Sequence, residues 1–163
     1  MREVDRAQIV TYSEQELLAA NVNPYTGLAT DYLNLFNEAI MLFEMGLDMP
    51  DMAEELADWQ PRDYVAHFEQ SGFELREVVI SAYRHAPSDV RLDFDECTAR
   101  ALAAFDSSIN ILLSSNLNDA DARTDLQNRL REMKGLVVEM DSHIHGRAEV
   151  METNLQSEVD ALF

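Results

Sequence analysis

Apolar residues recur three and four apart along the chain's long segments, a helical rather than an alternating rhythm, and only five glycines and four prolines interrupt it. The pattern predicts an all-α fold. Ser13-Glu14-Gln15-Glu16 has the form of a capping box and opens a short helix to about Ala20, stopped near Asn23-Pro24. From Thr26 or Thr30 to about Met45 runs the most apolar stretch, with Leu28, Tyr32, Leu35, Phe36, Ala39, Ile40 and Phe43 on one face. This is the expected core helix of the N-terminal half. Pro50 marks the start of a short acidic helix reaching Trp59. Another covers Asp63 to Gln70 and breaks at Ser71-Gly72, and a further one runs from Glu74 to Arg84 before Ala86-Pro87.

Ser88 reads as the N-cap of a long helix to Asn116, whose stripe is Phe94, Cys97, Ala101, Phe105, Ile109 and Leu112. After a turn and cap at Asn118-Asp119-Ala120-Asp121, the next helix carries a heptad seam of Leu126, Leu130, Met133, Val137, Met140 and Ile144. The expected architecture is a helical bundle with a long antiparallel C-terminal hairpin. Residues 1–12 read as a loose arm and 13–150 as one helical domain, with short helices over 13–86 and the hairpin over 88–150. Residues 151–163 read as a tail. Two apolar stripes cannot both be buried by a hairpin alone, so it must pack on the N-terminal half or on a second copy, making the seam a candidate homodimer surface.

Composition narrows the partners. With 31 acidic against 12 basic residues the net charge is -19, which disfavours nucleic acid and anionic membrane surfaces. An apolar content of 47% is too high for a disordered acidic tail. The single cysteine excludes an intramolecular disulfide and a CxxC knuckle. No apolar h-region follows the charged start and no run approaches a membrane span, so a cytoplasmic location is expected.

Candidate chemistry is sparse. His143 and His145 are two residues apart, about 200° around a helix, and cannot chelate one metal together. They read as polar flanks of the seam isoleucine. His67 and His85 have no partner at ligand spacing, and Cys97 reads as a buried, inert thiol. No metal or other cofactor of the chain's own is expected, although a metal-dependent helical enzyme would hold its ion near Glu38 or His143. Asp31, Asn34, Asn37 and Glu38 form a polar side on the apolar helix; they could orient a water toward a phosphoryl group, but helix capping is the plainer role.

The segment Asn23-Pro24-Tyr25-Thr26-Gly27-Leu28-Ala29-Thr30-Asp31-Tyr32-Leu33-Asn34-Leu35-Phe36-Asn37-Glu38-Ala39-Ile40-Met41-Leu42, with Trp59-Gln60-Pro61 and His67 to Phe73, resembles a family of small helical proteins of alphaproteobacteria with no assigned activity. The peptide Gln156-Ser157-Glu158-Val159-Asp160-Ala161-Leu162-Phe163 is similar to the receiver-binding peptides of the flagellar switch protein FliM and the chemotaxis phosphatase CheZ. The resemblance implies that Leu155, Gln156, Glu158, Val159, Asp160, Leu162 and Phe163 contact a CheY-like receiver domain. The spacing of Leu155, Val159 and Leu162 would place apolar anchors on one face of a docked helix.

A hairpin followed by such a peptide also resembles the layout of that phosphatase, which uses an Asp and a Gln four residues apart on a bundle helix. Asp106 and Asn110 have the separation, with Asn for Gln, but lie on the first hairpin helix. Asp125 lies on the second, with Gln127 and Asn128 nearby and Arg129 at the fourth position. These are the candidate catalytic residues, and the only cofactor implied is magnesium on the receiver. The resulting expectation is a signalling interaction protein that modulates chemotaxis or flagellar output, with receiver phosphatase activity left open. The alternative is a structural or scaffolding bundle with no catalytic activity.

Overall fold

The structure, a computed structural model, describes residues 12–146. The proposed tail 151–163 and all but Tyr12 of the proposed arm lie outside the described residues. Seven α-helices and two 3-10 segments follow one another, with no strand among the described residues: α1 (Glu14–Ala19), a 3-10 turn (Thr30–Leu33), α2 (Asn34–Asp48), α3 (Pro50–Ala53), a second 3-10 turn (Glu54–Asp58), α4 (Tyr64–Ser71), α5 (Arg76–Arg84), α6 (Ser88–Ser114) and α7 (Ala120–His145). The all-α bundle read from periodicity is the observed fold. No described helix is long and apolar enough to cross a membrane.

Local signals explain most boundaries. Ser13 accepts from the Glu16 amide at 3.1 Å while the Glu16 carboxylate takes the Ser13 amide at 3.1 Å, completing the capping box of α1. Asp63 caps α4, whose end is a left-handed Gly72. Asp119 caps α7, which ends in a left-handed Gly146.

Several boundaries differ from the periodic reading. Of the two starts expected for the core helix, Thr30 is where helical turns begin, first as the 3-10 turn and from Asn34 as α2, because residues 21–29 are committed to a tight loop. There Asn23 accepts through its side chain from the Tyr25 and Thr26 amides, Gly27 has φ 74°, and Val22 bridges Ala29. Ser88 is not the cap of α6. Pro87 holds that place in extended conformation, its carbonyl accepting the Arg91 amide at 2.9 Å, and Ser88 is the first helical residue. The acidic helix after Pro50 is one α-turn that tightens into a 3-10 turn.

The core is an aromatic junction where α2 meets the hairpin. Tyr32 is fully buried, with ring centroids 5.2 Å from Phe36, 5.2 Å from Tyr64 and 6.2 Å from Phe94. Phe36 meets Phe105 at 4.9 Å, and Trp59 stacks on Phe105 at 6.0 Å. Such pairs add about 0.5–1.5 kcal/mol each beyond area burial. Their polar tips are satisfied by backbone: Tyr32 donates to the Arg62 carbonyl (2.8 Å), Trp59 donates to the Leu35 carbonyl of α2 (2.9 Å), and Tyr64 accepts the Ala29 amide (2.9 Å). Thr26 donates at 2.6 Å to the Ile144 carbonyl and so ties the early loop to the last turn of α7.

In the hairpin, Phe94, Cys97, Ala101, Phe105, Ile109 and Leu112 of α6 are buried, as the stripe implies. Of the α7 seam, Leu126, Met133, Met140 and Ile144 are buried, and Leu130 and Val137 are partly so. These residues join the chain's own core, so the face offered to a second copy is occupied by α2 and α6. Arg123 of α7 donates to the Leu47 carbonyl (2.5 Å), meeting an orphan acceptor at the end of α2, and Lys134 pairs with Glu44.

Two outcomes test this packing. A β-carbon on Gly46 would lie 2.8 Å from the Ala53 β-carbon and 3.0 Å from its α-carbon. Alanine gains about 1 kcal/mol of helix propensity, while overpacking costs about 1–3 kcal/mol, so Gly46→Ala should lower the urea-unfolding midpoint. The second concerns His67, partly buried against Tyr32 and Phe68, with its Nδ1 lacking a hydrogen-bond partner. Burial, then the Arg62 charge, lowers its pKa below 6.5, against an opposing pull from Asp31. The unfolded chain therefore takes up this proton first as pH falls. Stability contributed by neutral His67 is full above pH 6.5 and declines below it until the lower folded pKa is passed. His67→Gln should flatten the pH dependence of the unfolding free energy in that window.

Candidate functional site

The candidate catalytic residues fall on exposed faces of the hairpin. Asp106 and Asn110 stand one turn apart on α6; both side chains are exposed and engage no other described residue. On α7, Asp125 accepts from Arg129 at 2.9 Å, and the Asn128 carboxamide oxygen accepts from Arg131 at 3.0 Å. Gln127 is exposed. Exposed one-turn ion pairs hold little energy, yet here they occupy the groups that would have to meet a substrate. Asp106 and Asn110 thus present an unengaged carboxylate and carboxamide at helical i, i+4 spacing, as do Glu38 and Asn34 on α2. Leu155, Gln156, Glu158, Val159, Asp160, Leu162 and Phe163 lie outside the described residues.

The polar residues at the start of α2 lie away from the hairpin candidates. Asp31 accepts from the Asn21 side chain at 3.2 Å, while Asn34, Asn37 and Glu38 line the exposed face. An open groove lined by residues of α4 and α5 carries Arg76, Arg84 and His85 beside Glu69 and Glu77, so its charges are mixed.

The structure also gathers three residues that the sequence left apart. Cys97 from the buried stripe of α6 faces Glu139 and His143, one turn apart on α7; one donor atom from each lies within 4.8 Å of the others. Heptad reasoning assigned His143 to a polar flank and passed over Glu139 altogether. The usable signal was Glu-x-x-x-His, which puts both side chains on the edge of the seam, opposite the one cysteine in the facing stripe.

The electrostatics of this cluster are closely linked. Burial first, then the Glu139 carboxylate, pushes the Cys97 thiol up to about 12, so it is protonated and a poor nucleophile at neutral pH. Glu139 is held below the usual carboxylate range, chiefly by its hydrogen bond with the thiol and then by Arg100. Arg100 pairs with Oε2 of Glu139 and reaches Glu96 at 2.8 Å, and both carboxylates push its pKa further up. His145 points to a different partner, Asp141, at 3.2 Å. The two histidines are divided between the two sides of the seam, as their spacing requires.

Comparison with protein-family models, with curated proteins and with solved structures finds no match to this chain.

Proposed function

We propose that this protein is a bacterial signalling interaction protein whose peptide 156–163 binds a CheY-like receiver domain and thereby modulates chemotaxis or flagellar output. The observation that carries the reading is the peptide itself, with Val159 and Leu162 as apolar anchors and Glu158 and Asp160 as acidic flanks. A peptide of this kind can dock as a short helix in an apolar groove, with its ordering entropy offset by burial of the anchors, and its charges suit a basic rim. The long hairpin of α6 and α7 supplies a rigid body on which a docked receiver can rest.

Asp106 and Asn110 add a second role to this reading. An exposed carboxamide one turn from an exposed carboxylate can position a water for in-line attack on an aspartyl phosphate while the carboxylate orients a receiver lysine. Asp125, Gln127 and Asn128 are the weaker set, because Asp125 and Asn128 are already bound to arginines on their own helix. Magnesium in this scheme belongs to the receiver.

Removing residues 156–163 should abolish binding to a phosphorylated receiver in calorimetric titration. Unchanged affinity would overturn the proposal in favour of a scaffolding bundle. For the catalytic part, Asn110→Ala should slow receiver dephosphorylation by about 100-fold while leaving binding intact, the scale expected for loss of a group that positions the attacking water. Asp125→Asn should leave the rate within about twofold, since an exposed ion pair contributes little. If the wild-type protein does not accelerate dephosphorylation, the role is binding alone.

A further inference from the structure

We propose that Cys97, Glu139 and His143 form a site for one thiophilic divalent cation of the zinc class, held between α6 and α7. Three donors of different chemistry, a sulfur, an imidazole nitrogen and a carboxylate oxygen, come from two helices to within 4.8 Å of one another. Bonds of about 2.0–2.3 Å to a tetrahedral ion place ligand atoms roughly 3.4–3.8 Å apart, so the cluster closes around an ion by a contraction of about 1 Å. Side-chain rotation of Glu139 and His143 can supply it, because both are only partly buried.

Donor chemistry selects the ion. Calcium and magnesium take oxygen ligands, whereas a mixed sulfur, nitrogen and oxygen set suits zinc and cobalt(II). Charge also balances. Binding releases the thiol proton to solvent, and the resulting thiolate together with the Glu139 carboxylate cancels the divalent charge. Three protein ligands leave a fourth position for water.

The surroundings support the ligands. Arg100 takes Oε2 of Glu139 and leaves the other carboxylate oxygen for the ion, fixing the carboxylate's orientation. Its positive charge is shared with Glu96 at 2.8 Å, which limits repulsion toward a bound cation. Cys97 is buried, so the ion would enter from the α7 side, past Glu139 and His143. Thirty-one acidic residues attract divalent ions diffusely, and the sulfur therefore provides the discriminating signal.

The test is titration of the reduced full-length protein with cobalt(II), read by absorption. The expected result is one cobalt per chain, with a thiolate-to-cobalt charge-transfer band in the near ultraviolet that added zinc displaces. His143→Ala, at a partly exposed position, should fold normally and weaken cobalt binding by about tenfold or more. Cys97→Ser should remove the band, with circular dichroism reporting its fold. No charge-transfer band at saturating cobalt, or unchanged affinity in His143→Ala, would overturn the site.

Discussion

A long two-helix hairpin carries one apolar stripe on each helix, and the fold depends on covering both at once. The stripes of α6 and α7 face each other only in part; the remainder closes on α2 and the segments flanking it. Tyr32 and Phe36 lie against Phe94 and Phe105, and Trp59 stacks on Phe105 beside Phe36. Each such side chain contributes about 1.5–3 kcal/mol through burial, more than any surface ion pair here can supply. The loops are shaped by this requirement. Tyr32, Trp59 and Tyr64 can enter the core only because backbone groups at Arg62, Leu35 and Ala29 complete their hydrogen bonds.

Three of the scarce cations sit at joints of the bundle. Arg123 reaches the end of α2, Lys134 ties α7 to α2 through Glu44, and Arg100 ties α6 to α7 through Glu139. With these positive charges engaged between helices, the outer surface is dominated by the excess that makes the net charge -19. Such a surface repels other acidic proteins and steers association with a basic docking face, an effect that salt screens. On the proposed function, this acidity and the acidic flanks of the peptide 156–163 would suit a receiver with a basic groove.

Where apolar spacing alone determines an element, the sequence sufficed: the α6 stripe and the α7 seam appear as read, and the capping box at Ser13 was legible from its own polar motif. Where a side chain competes for the backbone, it did not. Asn23 captures two amides just after it and holds residues 23–27 in a turn, a local side-chain choice that apolar periodicity does not register. Pro87 displaced Ser88 as the α6 cap because its extended backbone already presents the first carbonyl. The seam left open whether the N-terminal half or a second copy covers it, because a stripe does not say whose helix packs on it. The Cys97, Glu139 and His143 cluster escaped for a related reason, since its donors meet only through the register of α6 on α7, which no single-helix pattern encodes.

The central claim is that the peptide after the bundle, together with the Asp106 and Asn110 face, meets a receiver domain. Its most direct test is residue-resolved chemical-shift mapping of the isotope-labelled full-length protein titrated with a receiver activated by a phosphate mimic. The account predicts perturbations concentrated at residues 155–163 and around Asp106 and Asn110. Perturbations confined to other faces, or none at saturating activated receiver, would contradict it.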